Sequence, residues 1–448
     1  MKLRNIYHLY SRAGFGISIA EAKKRQSQNT DQAVTALLHP ESPPVNLNLI
    51  QLSEMPSREK MKDVAITDKK QIQKEVRDRT KDLNTAWVKQ LITTQTPLLE
   101  KTTLFWHGHF ACRVESNPYI IQELNNLQRQ FAFAPFIDLL MAVSKSAAML
   151  QFLNNKQNHK QHPNENFARE LMELFTIGRG NYTEQDIKES ARAFTGWTCD
   201  NDTFAFMFKE KMHDAETKTF MQQTGNFTGE DIIRIILQQK QTAVFLCKKM
   251  YRFFVNENEN QKHINELADF YYKNNYDTGK LLKKIFTSDW FYEEANIGAN
   301  IKSPVEFIVG FSRSFGIIPS DEVLLKIQRA LGQTLFYPPN VAGWPGGKNW
   351  IDSSTLMLRL KIPSTVLNGG KIDIVEKDDM PESFSLPETL KINPDEKPFF
   401  AGAAADELIE NLLLPNLNDK KKKILSSEPV TNKQLVLKIV SMPEYQLC

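Results

Sequence analysis

The chain has 448 residues, of which 41% are apolar and 24% charged, proportions that belong to an ordinary folded globular protein and exclude a disordered one. Its 56 Lys and Arg against 53 Asp and Glu leave a formal charge of +3. That balance provides no protein-wide field for holding nucleic acid, and no apolar run approaches the ~18 residues that span a bilayer.

The scattered cysteines, Cys112, Cys199, Cys247 and Cys448, form no CxxC pair, so neither a zinc ribbon nor a disulfide framework is indicated and a reducing compartment fits. The start, "MKLRNIYHLYSRAGFG", runs directly into structured-looking sequence without the apolar core and small-residue cleavage site of a secretory signal. The expectation is a cytoplasmic protein; a misassigned start would move it to the envelope or periplasm.

In chain order, residues 51–82 are rich in Lys, Glu, Asp, Arg and Gln and read as a charged peripheral helix. The stretch "FWHGHF" follows, with His107 and His109 one glycine apart among aromatics. Two residues subtend about 200° on a helix, so the imidazoles point one way only if Gly108 ends the helix or turns the chain.

"NENFARELMELF", Asn164 to Phe175, reads as one helix on which Glu165, Arg169 and Glu173 form an i, i+4, i+8 ridge with Asn166 and Glu170 alongside. Such a ridge either shares a cation and holds an arginine toward an anion, or is a salt-bridged helix face. Gly178 and Gly180 end this helix, and Thr183 with Asp186 caps the next, which carries Lys188, Glu189 and Arg192 on its polar side.

Strict alternation in "TFAFMF" marks a strand with Phe204, Phe206 and Phe208 on one buried face; "TKTFM", Thr217 to Met221, would return beside it. A β-hairpin over 203–221 then holds His213 and Asp214 of "MHDAE" in its connection. Helical periodicity resumes in "DIIRIILQQKQTAVFLCKKMYRFFV", started by Thr228 and Asp231, and Ser303-Pro304 and Ser320 open two further helices.

"LFYPPNVAGWPGGKNWIDSSTLMLR", Leu335 to Arg359, is a shaped loop before a helix capped near Asp352 or Ser353: its prolines forbid regular helix, and Gly346-Gly347 permits close backbone approach. The spacing is not that of a Walker loop. Trp344 and Trp350 either stack on a sugar or peptide or pin the loop to the core, and Asn340 joins them as a substrate-binding candidate. Residues 368–398 read as a surface connection, and 399–448 as a C-terminal helical piece. The fold class is therefore mainly α, a multi-helix globular array with a small inserted β-hairpin.

Taken together, "HLYSRAGFG", "LFWHGHFA", "NENFARELMELFTIGRGNYTEQDIKESARAFTGW", "MHDAETKTF", "FLCKKMYRFFV", "IKSPVEFIVG" and the Leu335–Arg359 loop resemble a bacterial family, domain of unknown function 1800. The resemblance implies one family-length unit over 1–448 and identifies "HGH", "NENFARE" and "HD" as family motifs. It carries no reaction with it. Relatives often look secreted and are encoded near sulfatase-like proteins, which implies an envelope or polysaccharide context and makes such a protein a candidate partner.

On the residues themselves, the leading expectation is a metal-dependent, hydrolase-like enzyme acting on an anionic or glycan-related substrate. A divalent metal (Zn, Fe or Mn) would sit among His107, His109, Glu165, Glu173, His213 and Asp214, with Glu170, Arg169 and Arg192 catalytic. The alternative is a non-catalytic glycan- or peptide-binding or scaffold protein whose polar cluster is a structural ion-pair network. Two geometric expectations follow: the His-Gly-His turn lies beside the polar face of the Asn164–Phe175 helix, and the Leu335–Trp350 loop walls the same cleft.

Overall fold

The computed structural model describes residues 1–55, 66–114, 116–367, 403–426 and 431–448. The expected connection over 368–398 lies outside them, as do residues 56–65 of the charged segment. Helices dominate, and they begin where the sequence supplies caps. Asp231 accepts from the Thr228 amide and hydroxyl at the head of Gly229–Leu237. Ser303 and Glu306, and likewise Thr183 and Asp186, satisfy each other's backbone amides in capping boxes.

Residues 66–82 of the charged segment form the first part of a 28-residue helix, Ile66–Thr93. That part is mostly exposed, though Val76 and Thr80 are buried, and Leu83, Trp87, Val88 and Leu91 further along are fully buried. They pack toward the helices Pro304–Phe315 and Asp321–Leu331.

The helix Pro97–His109 runs through the centre, with every residue from Leu98 to His107 buried. A helix enclosed all round must pair any charge it carries. Glu100 accepts from Arg129 Nε at 2.7 Å and from the Trp87 indole at 3.0 Å. Lys101 is bound by Glu306. Residues far apart in sequence close around this axis: Arg12 donates to Phe254 O at 3.1 Å and to Cys448 Sγ at 2.7 Å, and Asn300 exchanges backbone hydrogen bonds with Cys448.

The β-structure differs in pairing from the expected single hairpin. β1 (Trp197–Cys199) pairs antiparallel with β2 (Phe206–Phe208), and β3 (Lys218–Phe220) with β4 (Gln223–Gly225). Met221 and Gln222 both adopt positive φ, 47° and 64°, which gives the primed two-residue turn that matches strand twist and closes β3 on its own neighbour. Neither residue is a usual turn former, so the alternation alone pointed to the more distant partner. Nor do the three phenylalanines share a buried face: Phe204 is left-handed and Phe208 is 46% exposed.

Candidate functional site

The central helix continues through Gly108 to His109, so the two imidazoles keep their angular separation and face opposite ways. His107 lies among Trp87, Phe336 and Trp344, and its Nε2 accepts the Phe336 backbone amide at 3.2 Å. Burial lowers its pKa to about 3, so it is a neutral acceptor. His109 lies against Phe105, Trp106 and Phe175. Its Nε2 is 3.0 Å from Phe175 O and its Nδ1 3.2 Å from Lys249 Nζ. A carbonyl can only accept, so Nε2 carries the proton and Nδ1 presents its lone pair to Lys249. Burial first, then the Lys249 charge, hold His109 well below its ordinary pKa.

The partner of the His-Gly-His end is thus the backbone of the "NENFARELMELF" segment rather than its polar face. That segment is not one α-helix. Asn166–Glu170 is α-helical, and Leu171–Thr176 opens into a π turn, with Ile177 N and Gly178 N both bonding Met172 O. The wider turn breaks the i+4 register of the expected ridge. Glu165 and Arg169 do pair, at 3.1 Å, but Arg169 turns its other contacts to Glu184, whereas Glu173 is taken by Arg179 and by the Tyr182 hydroxyl at 2.8 Å. Glu170 has no hydrogen-bonding or ionic partner among the described residues; burial, then Glu173, push its pKa up.

Arg192 does not join this ridge. Its guanidinium grips Asp214 through two bonds of 2.7 and 3.2 Å and Glu189 at 2.9 Å. Glu189 in turn accepts the Thr219 amide at 3.1 Å, and Lys218 donates to the carbonyls of Asp214 and Glu216. This network clamps the β3–β4 hairpin onto the helix Glu184–Ala193. His213 is buried against Thr195, with Nδ1 2.9 Å from the Thr195 carbonyl, and its ring meets Phe208. The structure therefore commits His107, His109, Glu165, Glu173, His213 and Asp214 each to its own partners. Among the described residues, no three His, Cys, Asp or Glu side chains gather closely enough to hold a metal ion.

What the fold does unite is His-Gly-His and the Trp/Pro/Gly loop. They wall a cleft of about 380 Å³ whose lining includes Gly108, His109, Lys249, Arg252, Trp344 and Trp350. The loop is built onto the helix end. Phe336 is bonded to His107, Leu335 O accepts from Asn84 at 2.8 Å, and Gly343 (φ +79°) sits so close that an added Cβ would lie 2.5 Å from Gly108 O. Further on, the Lys348 amide reaches Glu257 at 3.2 Å, and Asp352 caps the next helix through the Thr355 amide at 2.8 Å. Trp350 is buried and Trp344 half-buried. Asn340 is not among the lining residues: it is exposed, and its Oδ1 folds back onto the Ala342 amide at 2.9 Å, as turn asparagines do.

Lys249 is a lining residue that the sequence reading passed over, as are Arg252, Glu257 and Gln333. It sits on the helix Lys240–Phe254 in the row Phe245, Lys249, Phe253, and its Nζ donates to Leu174 O at 2.9 Å, beside the His109 contact. That carbonyl is freed at the π turn, where helix-end acceptors need outside donors. Burial, then Arg252, lower the Lys249 pKa to about 8.

The fold and cleft define a mainly helical protein with a loop-walled pocket, its lining more apolar than polar, at its central helix end. The chain belongs to the family described as Protein of unknown function (DUF1800), which it matches over residues 8–447. No curated protein and no solved structure matches it.

Proposed function

We propose that this cleft binds a small glycan-related ligand that carries a negative charge. The observation that supports the reading most is the half-buried Trp344 ring, held over His107 at 5.6 Å in a rigidly seated loop, beside the guanidinium of Arg252 and the amine of Lys249. An aromatic face next to convergent polar groups is the usual way to orient a sugar. Gln333 supports it further: its carbonyl takes the Val305 amide at 3.0 Å, which leaves its NH2 group for a ligand hydroxyl.

Titration of tryptophan fluorescence with neutral and sulfated or carboxylated disaccharides tests the reading. The expected result is saturable binding of the anionic sugars, weakened at least tenfold by Trp344→Ala, and by Arg252→Gln for charged ligands alone. If no sugar changes the fluorescence, the reading fails. A metal-assisted hydrolase would need His107 or His109 to abandon the partners described above. Elemental analysis of the purified protein checks this, and stoichiometric metal lost on replacing either histidine would favour hydrolysis instead.

A further inference from the structure

We infer that Lys249 is a nucleophilic amine, poised to form an imine with the carbonyl carbon of a ligand that also bears an anionic group, such as the open-chain form of an acidic sugar. The inference rests on the cleft being the ligand site and adds a chemical step to it.

Buried lysines are nearly always paired with a carboxylate. Lys101 follows that rule with Glu306. Lys249, half-buried, does not, and among the described residues neither do Lys218 and Lys302, whose amines donate to backbone carbonyls. Lys249 differs in also meeting an imidazole, its amine lying 2.9 Å from Leu174 O, 3.2 Å from His109 Nδ1 and 4.8 Å from the face of Phe245. The two acceptors take two of its hydrogens, so in the neutral amine no N–H is left for a third partner. His109 cannot compete as a donor there, because its own proton is spent on Phe175 O. With both N–H bonds so held, the remaining tetrahedral direction carries the lone pair, and Lys249 lines the cleft. His109 is in this sense a positioning residue, and the π turn supplies the two carbonyls that fix the pair. Arg252, on the same lining, is placed to receive the ligand's anionic group.

The step balances without any further reactant. The nitrogen lone pair forms a bond to the carbonyl carbon, the carbonyl electrons move to oxygen, and that oxygen leaves as water after taking both amine protons. The product is a neutral imine or, with one proton from solvent, an iminium.

The amine's lowered pKa of about 8 sets the scale of the test. At pH 8 about half of Lys249 is unprotonated, against well under 1% of an ordinary lysine. A lower pKa also reduces intrinsic nucleophilicity, so the expected advantage is at least tenfold rather than the full hundredfold. The full-length protein is treated with glyoxylate and cyanoborohydride across pH 6 to 10, and adducts are mapped by peptide mass. The adduct at Lys249 is expected to exceed that at Lys302, whose pKa burial lowers as far but which lines a cavity of only about 50 Å³, with a half-maximal rate near pH 8 and faster labelling than by uncharged glyceraldehyde.

Arg252→Gln removes a neighbouring positive charge and should move that midpoint upward, a change a purely structural lysine would not report. Lys249→Arg should abolish the adduct; if that variant fails to fold, the wild-type map and its pH profile still decide. Labelling no faster than at surface lysines would overturn the inference. It would leave the binding reading intact, since that is measured separately through Trp344 with sugars. Conversely, a selective Lys249 adduct without any sugar binding would sustain the reactive amine while the glycan reading fell.

Discussion

Replacing Gly343 by alanine tests whether the loop is truly built on the His-Gly-His end. Two costs add at this position. Its φ of +79° is strained for any residue with a Cβ, by roughly 1–2 kcal/mol. The new methyl would lie 2.5 Å from Gly108 O, a backbone atom of the enclosed central helix with little room to yield. Overpacking of that kind costs roughly 1–3 kcal/mol. The sum is roughly 2–5 kcal/mol, which for a chain of this size lowers the unfolding midpoint by about 1 °C per kcal/mol. Gly316 provides the control, because its φ of +64° is also left-handed but nothing lies within 4 Å of an added Cβ. Gly316→Ala should therefore cost only the strain. Thermal unfolding of both variants, with hydrogen exchange at the Phe336 amide, separates the two contributions: exchange at Phe336 should quicken in Gly343→Ala alone. Equal midpoints and equal exchange in the two variants would refute the seating of the loop, and with it the cleft.

Glu306→Gln should destabilise by roughly 3–5 kcal/mol, because it strands Lys101 in the core. Burial alone would raise the Glu306 pKa, yet Lys101 and Arg12 outweigh it and hold the carboxyl at about 2; its stabilisation is complete above about 4.5 and is lost as pH falls toward 2, which denaturation curves on the acid side will show. His107 acts in a higher window. Burial favours the neutral ring, so its contribution is full above 6.5 and declines as pH falls toward 3; His107→Gln keeps an acceptor for Phe336 and should reduce the stability slope there by one proton. Glu170→Gln removes an unpaired charge beside Glu173 and should leave the midpoint unchanged or slightly raised at neutral pH, whereas Arg192→Gln strands Asp214 and Glu189 and should lower stability by roughly 1–3 kcal/mol in the same assay.

The helix starts were legible because a cap is local: Thr228 and Asp231, or Ser303 and Glu306, meet within one turn whatever the rest of the chain does. The mainly helical class followed from the same short-range periodicity. The Leu335–Trp350 loop was expected to wall a cleft shared by His-Gly-His and the polar helix face; it meets His-Gly-His, but no residue of Asn164–Phe175 lines that cleft. What the sequence did not disclose was direction. A two-residue interval on a continuing helix sends His107 and His109 apart, and nothing in "FWHGHF" says that the helix continues past Gly108. The π turn at Leu171–Thr176 likewise has no compositional mark, and it alone undoes the Glu165 to Glu173 ridge. Arg192 found Asp214 across a β-connection whose pairing depended on an unusual Met221-Gln222 turn.

Lys249 had one visible signal, a lysine set between Phe245 and Phe253 at four-residue steps, where a solvated face would carry polar neighbours. Why that signal matters becomes plain only from the carbonyls of Leu174 and Phe175. An α-helix ending at the same point would still leave carbonyls unpaired, but a side chain can use two adjacent ones only if the backbone is held open there. The π turn does this, giving one carbonyl to Lys249 and the next to His109, and so fixes an amine and an imidazole in contact; among the described residues no carboxylate bonds either, although Glu257 and Glu306 line the same cleft. A carboxylate in that position would have restored an ordinary ion pair and kept the lysine protonated. The second histidine of the motif and the segment after "NENFARE" therefore serve one arrangement, and the first histidine serves the loop that closes over it.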